Sequence, residues 1–149
     1  MASEPIFSAF DLPVAERSLF WNSKTWFDYF ALTKPEVNFL IVITTFAGFY
    51  LGYRGDFPFL RSMNAVLGTL FVASGTGTLN QYLERSFDAQ MRRTYRRPLA
   101  AGRLNPSAVL WFGIALSVLG TVYLAAAVNF LASLLALGTL FSYLFFYTP

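Results

Sequence analysis

From Leu104 to Pro149 the sequence reads LNPSAVLWFGIALSVLGTVYLAAAVNFLASLLALGTLFSYLFFYTP, without one Asp, Glu, Lys or Arg. A soluble domain in a chain of 149 residues cannot bury a stretch of that length, whereas a lipid bilayer is its natural solvent. The whole composition agrees, since 56% of the residues are hydrophobic and only 13% are charged. We therefore predict an all-α fold, a polytopic transmembrane helix bundle, because helices satisfy their own backbone hydrogen bonds in lipid.

Apolar segments separated by polar breaks predict four membrane spans within residues 34–149. We place the spans at about residues 37–53, 63–84, 107–128 and 130–147, each long enough to cross the hydrocarbon core. Residues 1–33 are predicted to form an N-terminal arm and a short interfacial helix rich in aromatic side chains. No polar tail follows the fourth span, so we expect the chain to be truncated.

The basic residues are concentrated in one place, since six of the eleven lie between Arg85 and Arg103. Cytoplasmic loops of membrane proteins carry such an excess, so the N-terminus and the 85–105 loop are predicted to be cytoplasmic, in a bacterial inner membrane. A basic cluster between lipid-compatible helices argues against a nucleic-acid partner. The chain has no cysteine and no histidine, which excludes zinc–thiolate sites and histidine acid–base chemistry.

Asn80, Glu84 and Asp88 are spaced by four residues, which places them on one face of a helix. Two carboxylates at this spacing repel each other, and the repulsion grows at the low dielectric of a span's end, so a cation should lie beside them. One amide and two carboxylates form an oxygen-only ligand set of the kind that Mg²⁺ accepts. These three residues are therefore the predicted metal ligands.

Asn80, Glu84 and Asp88 form a polar row, and five arginines follow within fifteen residues of Asp88. Guanidinium groups bind phosphate in a bidentate manner and keep their charge at any physiological pH. Metal-binding carboxylates beside arginines, opening into an apolar bundle, fit a diphosphate on a lipid tail, with the diphosphate at the membrane surface and the tail between the spans. The arginines in question are Arg92, Arg93, Arg96, Arg97 and Arg103.

Structural interpretations of the same residues compete with this one. Asp88 can pair with Arg92 at i,i+4, and Glu84 can pair with Arg85 or with another helix. The basic loop would then reflect membrane topology alone, in a non-catalytic membrane scaffold or transporter subunit. Gly75-Thr76-Gly77 looks faintly like a nucleotide loop, but it lies within a span, where glycines that permit close helix packing are expected.

Several stretches resemble the UbiA-type intramembrane prenyltransferases, and within them the enzymes that farnesylate heme. They are Leu32-Thr33-Lys34-Pro35, the row Asn80, Glu84 and Asp88, then Asp88-Ala89-Gln90-Met91-Arg92-Arg93-Thr94, and Arg97-Pro98-Leu99-Ala100-Ala101-Gly102-Arg103. Glu84 stands where the family usually has aspartate, Glu36 where it commonly has a basic residue, and Ala100 where it has proline. The family also has more spans and a second aspartate-rich motif, so the resemblance implies an N-terminal part of its fold.

The resemblance implies transfer of a farnesyl group from farnesyl diphosphate to heme B, giving heme O, in surrounding membrane lipid. Asn80, Glu84 and Asp88 would be the catalytic residues that bind Mg²⁺ and diphosphate. Further diphosphate contacts would come from Arg92, Arg96, Arg97, Arg103 and Lys34. Prenylation of an aromatic quinone precursor is the alternative reaction, because the acceptor-binding residues of the family fall mostly outside the part that this chain resembles.

Overall fold

The computed structural model describes residues 23–147, so the predicted N-terminal arm lies outside the described residues up to residue 22. Over the described range every regular element is a helix and there is no strand, which confirms the all-α prediction. The elements are α1 (Ser23–Leu32), α2 (Pro35–Gly52), α3 (Phe59–Asp88), α4 (Pro106–Ala127), α5 (Phe130–Ser142) and a closing π-helical segment (Tyr143–Tyr147).

The starts of three helices follow from local chemistry. Pro35 opens α2 at a position where its missing N–H costs no hydrogen bond. Asn105 caps α4, accepting a hydrogen bond from the Ser107 N–H at 3.0 Å, and Asn129 caps α5 by accepting from the Ala132 N–H at 2.6 Å. These caps explain why helices break within a sequence that is otherwise almost continuously apolar.

The principal helix–helix contact is between α3 and α4, and glycines allow it to be close. A Cβ atom built on Gly75 would touch the Ser117 hydroxyl and would lie 2.7 Å from the Ser117 backbone nitrogen and 2.9 Å from the Gly113 carbonyl oxygen. A Cβ on Gly120 would lie 2.7 Å from the backbone nitrogen of Val72. Gly75 is therefore a packing glycine, as the sequence predicts.

Two of the described helices are long and apolar enough to cross a membrane, namely α2 and α4, with mean hydropathies of 1.3 and 2.0. Only 6% and 28% of the residues in these stretches are buried, unlike the core helices of soluble proteins. The apolar helix Phe130–Phe146 is shorter, and α3 carries the polar row at its end. Length and composition allow α2 and α4 to cross a membrane, and all four predicted spans stay predictions.

One end of the bundle gathers α1, the loop after α3 and the start of α4. Leu32, Leu99, Leu104 and Val109 form a buried cluster there. At the opposite end, Arg61 donates a hydrogen bond to the Val128 carbonyl at 2.6 Å and ties α3 to the end of α4. The helix that precedes the first predicted span and the arginine-rich loop thus share one end of the bundle. Their cytoplasmic location stays a prediction.

Replacing Gly75 by leucine should destabilise the fold by about 1–3 kcal/mol or more, because the new side chain meets backbone atoms of α4 that cannot rotate away. Gly48→Leu is the matched control, since a Cβ at Gly48 has no neighbour within 4 Å. Thermal unfolding of both variants in one detergent measures the difference. Equal losses at the two positions would show that the α3–α4 crossing does not require the glycine.

Candidate functional site

The predicted row lies on the last three turns of a single helix. α3 continues beyond Glu84, where the second span was predicted to end, and finishes at Asp88. Asn80 and Asp88 are 1% and 4% exposed, whereas the Glu84 side chain is 28% exposed. A carboxylate buried as deeply as Asp88 is costly unless a cation or hydrogen-bond donors compensate it. The surroundings of the row must therefore supply positive charge.

Arg97 supplies that charge from the loop that follows α3. Its Nη1 atom lies 2.7 Å from Asp88 Oδ2 and 3.7 Å from Glu84 Oε2, so one guanidinium bridges both carboxylates. The loop is turned back toward the row by Thr94, whose hydroxyl donates to the Asp88 carbonyl at 3.1 Å. Because α3 ends at Asp88, the predicted i,i+4 alternative with Arg92 does not form, and Arg92 is exposed.

The other structural alternative placed Arg85 on Glu84. Instead, Arg85 donates to the Tyr82 carbonyl at 2.8 Å, and its guanidinium carbon lies 4.4 Å from the centre of the Tyr82 ring. Glu84 is thus left with Arg97 as the cation that contacts it.

Lys34 brings a second cation to the row from the turn between α1 and α2. It lies just before α2, and its Nζ atom donates a hydrogen bond of 2.7 Å to Asn80 Oδ1. Burial lowers the pKa of Lys34, and the nearby charge of Arg97 lowers it further, while Glu84 and Asp88 act in the opposite direction. Cations from two different segments therefore face one short helix surface.

The remaining predicted diphosphate contacts lie elsewhere. Arg103 forms a bidentate pair with Asp28 of α1, with distances from 2.9 to 3.2 Å, and also donates to the Arg96 carbonyl. Arg96 is exposed and donates to the Tyr95 hydroxyl at 2.8 Å. Of the five predicted contacts, the structure brings Arg97 and Lys34 to the row, and it does not bring Arg92, Arg96 or Arg103.

Sequence reasoning missed residues that support the row. Asp28 holds Arg103, and two buried amides, Asn38 and Gln81, contact the turn that carries Lys34. Asn38 was detectable, because an amide inside an apolar helix of a membrane protein needs a partner and marks a polar site. Asp28 gave no signal, since its partner is distant in sequence.

The donor atoms of the row fit a divalent ion. Within residues 23–147 no three acidic side chains come together. The protein ligands of such an ion would therefore be two carboxylates, those of Glu84 and Asp88, and the amide oxygen of Asn80. Mg²⁺ commonly takes one or two protein carboxylates and completes its shell with water and substrate phosphate oxygens. Arg97 and Lys34 now contact these same oxygens, so a metal ion would share them or compete for them.

An apolar cavity of about 320 Å³ lies between α2, α3 and the C-terminal helical segments. Lys34 and Asn38 line it together with apolar side chains such as Val72 and Leu140 and with several threonines. The cavity and the charged row therefore meet at Lys34. This arrangement suits an amphiphilic molecule that has an anionic head and an apolar tail.

Residues 41–149 match the family model described as the UbiA prenyltransferase family. A protein of Solibacter usitatus named "Protoheme IX farnesyltransferase" is 42% identical over 131 residues, covering 82% of this chain and 45% of the relative. Proteins of the same name in Stutzerimonas stutzeri and Azotobacter vinelandii are 39% and 41% identical over 83% and 85% of this chain.

The chain spans less than half the length of these relatives, with 42% of the latter two covered. No solved structure gives a significant match. The family model nevertheless covers α3, the arginine-rich loop, α4 and α5, the segments that build and follow the charged row. The chain therefore belongs to the UbiA prenyltransferase family.

Proposed function

We propose that this protein takes part in transfer of a farnesyl group from farnesyl diphosphate to heme B, giving heme O. The observation that carries the proposal is the row of buried Asn80, half-buried Glu84 and buried Asp88, faced by Arg97 and Lys34 at the edge of an apolar cavity. The names of the relatives support the choice of farnesyl donor and heme acceptor.

In this proposal the charged residues bind the head of the donor and stabilise its departure. The C–O bond between the farnesyl carbon and the diphosphate breaks, the electron pair leaves with the diphosphate, and the allylic carbon becomes cationic. Arg97 and Lys34 lie where fixed positive charge would stabilise the leaving diphosphate without any histidine. We propose Mg²⁺ as the divalent ion. It would be held by the row and would supply further positive charge to the oxygens of the leaving diphosphate.

The apolar cavity has a separate role. Side chains such as Val72 and Leu140 offer no nucleophile and no strong hydrogen-bond partner to the prenyl tail. Exclusion of water from this space would prevent hydrolysis of the allylic cation before it reaches the acceptor. The π electrons of a heme vinyl group would then form the new C–C bond to the farnesyl carbon. The cation left on the adjacent vinyl carbon would take up water, which loses a proton and becomes a hydroxyl group of the product.

Two other readings of the same structure lead to different outcomes. Prenylation of an aromatic quinone precursor needs the same diphosphate site and differs only in the acceptor. In a non-catalytic scaffold, the Arg97–Asp88 and Arg103–Asp28 pairs would only fasten the loop to the bundle. The scaffold hypothesis is testable, because a scaffold would show no Mg²⁺-dependent affinity for a diphosphate.

Asp88→Asn should reduce prenyl transfer by at least about 10²-fold, because it removes a charge from the metal- and diphosphate-binding row while keeping the side-chain shape. Glu36→Gln is the control, since it removes an exposed carboxylate in the first turn of α2. Turnover of radiolabelled farnesyl diphosphate by equal amounts of membrane-inserted protein measures the effect. Full turnover by the Asp88 variant would contradict its assignment.

The acceptor can be identified directly. Membranes containing the protein should transfer label from farnesyl diphosphate to heme B and should leave an aromatic acid such as 4-hydroxybenzoate unlabelled. Chromatography of the extracted lipids and hemes separates the two products, and membranes that carry the Asp88→Asn variant provide the background. Label in the aromatic acid alone would replace heme as the acceptor but would leave the diphosphate site intact.

Arg97→Gln should have opposite effects on two ligands. Without the competing guanidinium, the carboxylates should bind Mg²⁺ alone about tenfold more tightly, a change of about 1.4 kcal/mol. Affinity for farnesyl thiodiphosphate in saturating Mg²⁺ should fall, since one phosphate-binding cation is gone. Arg92→Gln is the exposed control. Isothermal titration measures both affinities, and a fall in both would show that Arg97 only supports the fold.

A further inference from the structure

Lys34 has an unusual backbone conformation. Its φ of 53° and ψ of 65° lie in the left-handed region, and it is the one residue other than glycine with positive φ in the range 23–147. An L-residue with a side chain pays an energetic cost there, and the proline that follows disfavours helical conformations further. Such outliers persist when the surroundings hold them in place, and they cluster at functional sites. The surroundings of Lys34 therefore need an explanation.

Two buried amides hold the turn that precedes Lys34. The Asn38 side chain donates to the Thr33 carbonyl and to the Ser74 hydroxyl, each at 2.8 Å. The Gln81 side chain donates to the Leu32 carbonyl at 3.1 Å. The Leu32 carbonyl lies at the end of α1, where a helix leaves acceptors without intrahelical partners, and the Thr33 carbonyl follows it directly. Both amides thus attach the α1–α2 turn to α3.

The geometry of the turn decides where the ammonium group of Lys34 lies. Only Thr33 and Lys34 separate α1 from α2, and the neighbouring Leu32 is fully buried. Gln81 follows Asn80 directly in sequence, so the residue that holds the turn adjoins the residue that accepts the Lys34 hydrogen bond. A shift of the turn would move Lys34 Nζ away from the row.

Stability alone does not account for Gln81. Its Oε1 atom is buried and has no hydrogen-bond partner among the described residues, although its Nε2 atom is used. A buried acceptor without a partner costs stability that the hydrogen bonds donated by Nε2, to the Leu32 carbonyl and at 3.5 Å to the Ala31 carbonyl, must offset. An amide at this position is therefore better explained by what it holds than by a gain in stability.

We propose that Asn38 and Gln81 are positioning residues that hold the left-handed turn at Lys34 and so keep its ammonium group against Asn80. The role of that ammonium in diphosphate binding rests on the proposed function above. The two amides act through Lys34 and contact neither the metal nor the diphosphate themselves.

A double-mutant cycle tests this coupling. Farnesyl thiodiphosphate binding is measured by isothermal titration, in saturating Mg²⁺, for the wild type, Gln81→Met, Lys34→Met and the double variant. Gln81→Met should weaken binding about fivefold or more in the wild type and less than about twofold in the Lys34→Met background, because coupled residues are not additive. Ser74→Ala, which removes the hydroxyl that accepts a hydrogen bond from Asn38 and does not line the cavity, should behave in the same way.

The control is Thr78→Val, which removes a buried hydroxyl of α3 that donates to the Ser74 carbonyl within the helix. Its effect on thermal stability should resemble that of Gln81→Met, but its effect on affinity should be absent. Equal weakening by Gln81→Met in both backgrounds would overturn the proposal and leave the diphosphate site standing. Absence of Mg²⁺-dependent binding in the wild type would remove the proposed function, and this inference with it.

A second comparison tests the backbone directly. Lys34→Gly and Lys34→Ala both lack the ammonium group, but only glycine adopts the left-handed conformation without strain. The glycine variant should melt several degrees above the alanine variant, while the two bind the analogue equally weakly. Equal melting temperatures would show that the turn relaxes, contrary to a conformation held by Asn38 and Gln81.

Discussion

The pairing of Asp88 with Arg97 constrains the rest of this end of the bundle. A carboxylate that is 4% exposed beside apolar helices needs a cation, and α3 ends at Asp88, so the cation cannot come from the next turn of the same helix. The chain must therefore fold back over the helix end to deliver Arg97. Burial of Leu99 and Leu104 against Leu32 then fixes the returning loop to α1 and α4.

The helices were predictable because apolar runs and caps are local. Asn105, Asn129 and the prolines mark where helices begin, and the i,i+4 spacing places the polar row on one face without any knowledge of the fold. The partners of the row were not predictable in the same way. The i,i+4 rule proposes Arg92 for Asp88, but it holds only while a helix continues, and the true partner is nine residues away through a loop.

Lys34 and Arg103 also show that the partners of a charged residue cannot be predicted from local sequence. Both are basic residues in stretches that resemble the family, and nothing in composition separates a cation that faces the row from one that holds a helix. The difference comes from tertiary contacts. Asn80 accepts a hydrogen bond from Lys34, 46 positions away in sequence, and Asp28 accepts one from Arg103, 75 positions away. The glycines of the α3–α4 crossing matter here as well, because close backbone packing sets how near these distant segments come.

The length of α3 has a consequence for the depth at which a ligand would lie. A helix of 30 residues measures about 45 Å, whereas the hydrocarbon core of a bilayer is about 30 Å thick. The row from Asn80 to Asp88 occupies roughly the last 12 Å of that length, so an upright α3 would hold it at the level of the lipid headgroups. The anionic head of a lipid lies at this same level of the bilayer. The lipid could therefore reach the row by lateral diffusion within one leaflet, without being lifted out of the membrane or pulled into its centre.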